Sequence, residues 1–151
     1  AARVTAVDVS EFAVECAREN AARNGLSQVV DCMAANVFDL LPQLQKGQYD
    51  FIILDPPAFT KSRQTTQRAM AGYKEINYRA MRLLPRGGYL ATCSCSHFAT
   101  EELFRKMLHA AAHDAGVQLR QIEARQQSAD HPILWGVEET SYLKFYLFQV
   151  V

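Results

Sequence analysis

Apolar residues occur along this chain in two alternating patterns, short continuous runs and repeats at helical spacing. The continuous runs predict strands at residues 4–7, 29–33, 49–54, 88–93, 117–122 and 142–150. The helical repeats predict helices at residues 10–24, 38–44, 73–84 and 100–116. Strands and helices that alternate in this way predict an α/β fold, with a mostly parallel sheet and helices on both of its faces.

Capping residues mark the beginnings of two predicted helices. Ser10 and Thr100 each come directly before a helical repeat, where a hydroxyl can accept a hydrogen bond from an N–H group of the first turn. The stripe that the first helix is expected to bury contains Phe12, Cys16, Ala17 and Ala21. No internal repeat or second domain is indicated, so residues 1–151 are expected to belong to one domain.

Composition narrows the class of protein. Hydrophobic residues make up 49% of the 151 residues, which is enough for a core, and no apolar run has the length that a membrane span needs. No membrane partner is therefore expected. The four cysteines have neither CxxC spacing nor the spacing of a disulfide framework, which predicts free thiols in a cytoplasmic protein.

Charge is unevenly distributed although the net charge is zero. Seven Lys and Arg residues lie between Lys61 and Arg86, against the single acid Glu75. Such a stretch can attract a phosphate backbone, and it is equally typical of a solvated helix face. Both interpretations stay open on the sequence alone.

Two predicted strands end on residues that can do chemistry. The strand at residues 49–54 is followed by Asp55, Pro56 and Pro57, and the prolines force the chain to leave the sheet there. The strand at residues 88–93 leads into Ser94-Cys95-Ser96. Because parallel strands have their carboxyl ends at one edge, about 5 Å apart, the acid and a thiol are expected to converge on one ligand.

A metal site is not predicted, although Cys93, Cys95 and His97 have suitable residue types. These residues do not belong to a set of four ligands at a suitable spacing, because the other candidates, Cys16, Cys32 and His131, lie in other predicted elements.

Five short motifs occur in one order along the chain. They are Asp55-Pro56-Pro57-Ala58-Phe59, Gly72-Tyr73-Lys74-Glu75-Ile76-Asn77, Ser94-Cys95-Ser96, Asp130-His131-Pro132 and Tyr142-Leu143-Lys144. The series resembles the S-adenosylmethionine-dependent RNA methyltransferases that modify C5 of a cytosine in large-subunit ribosomal RNA. This resemblance implies a Rossmann-like class I methyltransferase sheet in the order 3-2-1-4-5-7-6, mostly parallel with an antiparallel C-terminal strand. It also implies that the chain begins at the second strand, without the first strand and its glycine-rich loop.

The resemblance assigns cofactor-binding roles to three residues. It implies that Asp8 accepts hydrogen bonds from both ribose hydroxyls of S-adenosylmethionine, a task that suits a carboxylate. From its position alone, Asp8 also fits a nicotinamide cofactor. Asn36 stands where similar proteins usually have Asp against the adenine amino group, and it is equally expected to cap the turn that begins at Val37. Asp55 is expected to lie against both cofactor and base.

The resemblance assigns the chemistry to Asp55 and Cys95. Asp55 is expected to bind the N3 and N4 edge of a flipped-out cytosine. Cys95 is expected to act as a nucleophile, because C5 of cytosine is too electron-poor to accept a methyl group until a thiolate adds to C6. Cys93 is the competing thiol, and it is interpreted as a core residue.

Further residues are expected to contact the RNA substrate. They are Pro56, Pro57, Phe59, Lys61, Tyr73 and Lys74. Phe98 and Trp135 are expected to pack against the protein, with stacking on a base as the alternative.

Two other functions remain as alternatives. A methyltransferase of the same fold that acts on nitrogen would need the Asp-Pro-Pro carboxylate but no thiol, and an inactive domain would only bind nucleic acid. Without its first strand, the chain is expected to form only part of a catalytic domain. The missing strand would leave a gap in the middle of the sheet. We expect this gap either to close by rearrangement or to be filled by a strand from a second copy in a homodimer, and we expect cofactor binding to be weak.

Overall fold

The structure is a computed structural model that describes residues 1–59 and 63–151, and these form two units, Ala1–Gln43 and Leu44–Val151. The first unit contains β1 (Val4–Asp8), α1 (Glu11–Arg23), β2 (Val30–Ala34), α2 (Val37–Leu40) and a 3-10 turn at Leu41–Gln43. Its two strands pair in parallel, from Val4 opposite Val30 to Asp8 opposite Ala34. The predicted helix at residues 38–44 is divided because Pro42 has no N–H group to donate to an α-helical bond.

The beginning of α1 confirms the predicted cap, since the Ser10 hydroxyl accepts a hydrogen bond from the Ala13 N–H at 3.3 Å. The predicted apolar stripe is partly wrong. Phe12 is 80% exposed, whereas Val14 and Ala21 are buried. Residues two positions apart point about 200° apart around a helix, so a face that buries Val14 leaves Phe12 in solvent.

The second unit contains four strands and two long helices. They are β3 (Phe51–Leu54), α3 (Thr66–Leu83), β4 (Tyr89–Ser94), α4 (Glu101–Ala115), β5 (Leu119–Arg125) and β6 (Lys144–Val150), with 3-10 turns at Arg63–Thr65 and Glu138–Thr140. The strand order is β3-β4-β6-β5. Strand β3 is parallel to β4, and β6 is antiparallel to both β4 and β5. The predicted mixed sheet with an antiparallel C-terminal strand is therefore confirmed.

Aromatic side chains connect the helices of this unit to its sheet. Tyr73 on α3 contacts Phe104 on α4 edge to face, with ring centroids 5.7 Å apart. Phe104 in turn contacts Tyr146 on β6, whose ring stacks on Phe148 at 5.6 Å. Tyr73 and Phe104 have no exposed surface. These contacts fix α3 and α4 against the sheet and hold the polar segments at its carboxyl edge in place.

Among the residues that the structure describes, no helix combines the length and the hydropathy needed to cross a membrane.

Candidate active site

Asp55 and Cys93 lie side by side at the carboxyl edge of the second sheet. Leu54 is opposite Thr92 in the parallel pair β3 and β4, so the residue that follows each of them is also adjacent. Asp55 is exposed and Cys93 is half-buried. Burial, followed by the negative charges of Asp55 and Cys95, raises the pKa of Cys93 to about 11. Asp55 therefore lies beside Cys93 at this edge, and Cys93 stays protonated at neutral pH. The convergence of Asp55 and Cys95 on one ligand stays a prediction.

The backbone on both sides of Cys95 is held by hydrogen bonds. Ser94 and Ser96 are buried, whereas Cys95 between them is only half-buried. The Ser94 hydroxyl accepts a hydrogen bond from the Ser96 N–H at 3.4 Å, and the Ser96 carbonyl accepts one from the Ala99 N–H at 3.2 Å. Thr100 then caps α4, as predicted, by accepting from the Leu103 N–H at 3.3 Å. The fixed backbone presents one thiol at the strand end.

Tyr73 joins the Asp-Pro-Pro segment to the Cys95 segment. Its hydroxyl lies 3.5 Å from the Pro57 carbonyl oxygen and is hydrogen-bonded to the Ser94 side chain. The Phe59 ring packs on the Tyr73 ring, with centroids 4.7 Å apart. Burial raises the pKa of Tyr73, so its hydroxyl remains protonated and able to donate. Tyr73 was expected to contact substrate, but its side chain has no exposed surface and lies beneath the site.

Lys144 is a residue of this region to which the sequence pattern assigned no role. Its ammonium donates a hydrogen bond of 2.6 Å to the Ser96 carbonyl, and only 8% of the residue is exposed. Burial lowers its pKa to about 8, against the opposing effect of the negative charges of Cys95 and Glu101. A signal was present, because Lys144 is in phase with the buried positions Tyr146, Phe148 and Val150 of β6.

The other predicted substrate contacts differ in their surroundings. Pro57 is exposed and Pro56 is half-buried beside Asp55, where both can line a binding surface. Lys74 forms an ion pair with Asp114 on α4 at 2.6 Å, so its charge is already partly compensated. Lys61 lies outside the described residues. Phe59, also predicted to contact substrate, is half-buried and packs on the Tyr73 ring.

The predicted cofactor residues of the first unit lie at the carboxyl ends of its strands. Asp8 is exposed, and its Oδ1 atom accepts a hydrogen bond from the Ser10 N–H at 2.8 Å. Within the described residues Oδ2 has no hydrogen bond, so the carboxylate retains acceptor capacity for hydroxyl groups. Asn36 is confirmed as the cap of α2, since Oδ1 accepts from the Phe38 N–H at 3.0 Å. Both residues fit a nucleoside with donors on its ribose and base.

Within residues 1–59 and 63–151, no group of three His, Cys, Asp or Glu side chains is arranged to bind a metal ion.

Solved structures share this fold. An S-adenosylmethionine-dependent methyltransferase from Streptococcus mutans superposes with a TM-score of 0.82 at 20% identity, over 99% of this chain and 39% of that one. TrmN from Thermus thermophilus superposes with a TM-score of 0.66 at 23% identity, over 99% of this chain and 36% of the other. At these identities the similarity establishes the fold, and it confirms the predicted class I methyltransferase architecture.

Relatives of known name are more similar in sequence. The protein named ribosomal RNA large subunit methyltransferase I from Klebsiella pneumoniae strain 342 is 40% identical over 99% of this chain. Its namesake from Shewanella amazonensis is 44% identical over 95%. The chain spans 38% and 37% of the lengths of these relatives. The family model described as the methyltransferase small domain matches residues 1–118. The chain therefore belongs to the methyltransferase small domain family.

Proposed function

We propose that this chain is part of an S-adenosylmethionine-dependent methyltransferase that methylates C5 of a cytosine in ribosomal RNA through a covalent adduct with Cys95. The observation that carries the proposal is the position of the half-buried Cys95 thiol just beyond a strand end, on a backbone that hydrogen bonds hold on both sides. The neighbouring thiol, Cys93, is also half-buried, and its raised pKa keeps it protonated. A reaction on nitrogen would require neither thiol.

The names of the relatives support ribosomal RNA as the substrate class. They leave open which atom of which nucleotide is modified, so the cytosine C5 assignment rests on the thiol. The protein is proposed to work in the cytoplasm, where its four free cysteines would stay reduced. The homodimer expected from the sequence stays a prediction.

In this proposal Cys95 supplies the nucleophile. Its Sγ atom forms a bond to C6 of the cytosine, and the electron pair of the C5–C6 double bond becomes available at C5. Once C5 has taken up the methyl group, its proton would pass to a base or to solvent. The electron pair of that C–H bond restores the C5–C6 double bond, the S–C6 bond breaks, and the thiolate returns to Cys95. Because hydrogen bonds hold Ser94 and Ser96, the Cys95 thiol loses less conformational entropy when it takes up the position for attack.

Asp55 orients the base beside this thiol. Its exposed carboxylate can accept a hydrogen bond from the N4 amino group of a cytosine that has left the RNA stack. Pro56 and Pro57 restrict the backbone that follows, so the carboxylate keeps its position at the sheet edge.

Residues of the first unit would hold the methyl donor. Asp8 would accept hydrogen bonds from the ribose hydroxyls, and Asn36 would contact the adenine amino group. S-adenosylmethionine supplies an electrophilic methyl group when it is bound.

A trapping experiment on the full-length protein tests the proposal. RNA that contains 5-fluorocytosine has no C5 proton to lose, so a covalent adduct persists and can be mapped by mass spectrometry. Wild type and Cys93→Ser are expected to form the adduct, whereas Cys95→Ser is expected to form none. Methyl transfer without an adduct would indicate a nitrogen-directed enzyme, and RNA binding without methyl transfer would indicate an inactive binding domain.

A further inference from the structure

Lys144 is a buried cation whose hydrogen-bond partner belongs to the segment that contains Cys95. It begins β6 opposite Ser94 in the antiparallel pair with β4, and its Nζ atom reaches the Ser96 carbonyl at 2.6 Å. Taking an ammonium out of water costs free energy unless nearby groups compensate it. One carbonyl compensates only part of that cost, so other polar or charged groups near Lys144 must contribute as well.

Charged groups approach Lys144 from each neighbouring element. Cys95 at the end of β4 and Glu101 in the first turn of α4 both act on it electrostatically. Glu101 also accepts a hydrogen bond of 2.8 Å from the Tyr146 hydroxyl, and Arg105 acts on Tyr146. Arg125 of β5 lines the same cavity of about 360 Å³ as Lys144 and Glu101. Glu101 is already shared with Tyr146. Cys95 lies between Ser94, which is opposite Lys144 in the strand pair, and Ser96, whose carbonyl accepts the Lys144 hydrogen bond.

We propose that Lys144 is a positioning residue for Cys95. Its ammonium anchors the Ser96 carbonyl and places a positive charge beside the Cys95 side chain. This inference rests on the proposed role of Cys95 as a nucleophile. A cation beside a thiol favours its charged and reactive form. The hydrogen bond to Ser96 fixes the distance over which this attraction acts, so both functions come from one side chain.

A purely structural role makes a different prediction. If Lys144 only ties β6 to the Ser96 turn, an uncharged donor such as Gln should replace it without any effect on Cys95. If its charge matters, Gln should fail and Arg should substitute for it. Thiol reactivity separates the two roles because it responds to charge and requires neither RNA nor cofactor.

Alkylation of individual cysteines by iodoacetamide, followed by mass spectrometry, provides this measurement on the folded chain. At pH 7, Lys144→Gln is expected to slow alkylation of Cys95 by about tenfold or more, the effect of one nearby charge. Lys144→Arg is expected to stay within about threefold of wild type. Near pH 10.5, the rates of Cys95 alkylation in wild type and in Lys144→Gln should become equal. Lys106→Gln, at an exposed position of α4, is the matched control.

A second pair of variants leaves Lys144 in place, in case its replacement prevents folding. Glu101→Gln removes the acid that competes for the ammonium and is expected to accelerate Cys95 alkylation at pH 7 by about twofold or more. Glu102→Gln, in the same exposed helical turn, should leave the rate unchanged. Equal rates in Lys144→Gln, Glu101→Gln and wild type would overturn the proposal. If the 5-fluorocytosine RNA forms no adduct but Cys95 alkylation responds to the variants as expected, the C5 assignment is overturned. The pairing of Lys144 with Cys95 would remain intact.

Discussion

The hydroxyl oxygen of Tyr73 lies 3.5 Å from the carbonyl oxygen of Pro57. The same hydroxyl is hydrogen-bonded to Ser94, the residue before Cys95. One buried side chain on α3 thus connects the two segments that come from separate strands of the sheet. Each segment alone is a short loop, and their relative position depends on this connection.

Replacement of Tyr73 by Phe removes that connection while the ring remains. A buried hydrogen bond typically contributes about 0.5 to 1.5 kcal/mol, and the partner left unpaired adds to the loss, so we expect the free energy of unfolding to fall by about 1 to 2 kcal/mol. Urea denaturation measures this change in the free energy of unfolding. Tyr78→Phe on the same helix is the control, because the Tyr78 hydroxyl only accepts from exposed Arg82 at 3.2 Å. Equal losses in the two variants would contradict a special role for Tyr73.

Cys93 is expected to be almost inert towards alkylation in the folded protein. Burial and the adjacent negative charges raise its pKa from 9.0 to about 11, so only about one thiol in a thousand is ionised at pH 8. The rate should keep rising with pH through about 11 in the folded chain, whereas in guanidinium it should level off above about 9. Alkylation of Cys93 that is equally fast in folded and unfolded chains at pH 8 would refute this account.

Local sequence was enough to predict most elements of the fold and the edge at which the site lies. The caps Ser10, Asn36 and Thr100 depend on hydrogen bonds within a few residues, and each was found as predicted. Lys144 and Tyr73 acquire their roles from partners far away in sequence. The antiparallel register that brings Lys144 to Ser96 spans 48 residues, and no local pattern encodes it.

Asp8 provides a test of the proposed cofactor site in the full-length protein. Each charge-assisted hydrogen bond contributes about 1.5 to 3 kcal/mol, so Asp8→Ala is expected to weaken binding of S-adenosylmethionine by more than tenfold. Calorimetric titration gives the dissociation constant. Asp31→Ala is the control, since this exposed acid of β2 pairs only loosely with Arg3 at 4.0 Å. If Asp8→Ala leaves the dissociation constant for S-adenosylmethionine unchanged, Asp8 is only a turn residue.

Trp135 differs from the packing role expected for it, because it is fully exposed. It occupies a turn in which the Val137 N–H donates to the Leu134 carbonyl at 3.0 Å and Gly136 adopts a φ of 99°. Glycine tolerates that left-handed backbone, and the turn directs the indole outwards. As the single tryptophan of the chain, it should be quenched by acrylamide almost equally before and after unfolding. If Trp135 fluorescence were strongly protected from acrylamide quenching in the folded state, the exposed position of Trp135 would be contradicted.

Lys144 should make stability depend on pH in the alkaline range. Its folded-state pKa is lowered from 10.5 to about 8, so between these values the unfolded chain binds more protons and the free energy of unfolding rises with pH. A depression of this size corresponds to about 3 kcal/mol. The raised pKa values of Cys93 and Tyr146 act in the opposite direction at high pH.

These opposing contributions cancel when wild type is compared with Lys144→Gln. Urea denaturation at pH 7.5 and pH 10.5 should show that wild type gains about 2 to 3 kcal/mol relative to the variant across this interval. Lys106→Gln, which removes an exposed charge, should show no such change. Because the gain comes from loss of a proton at a buried amine, a stability difference that is the same at both pH values would mean that Lys144 reaches water in the folded state.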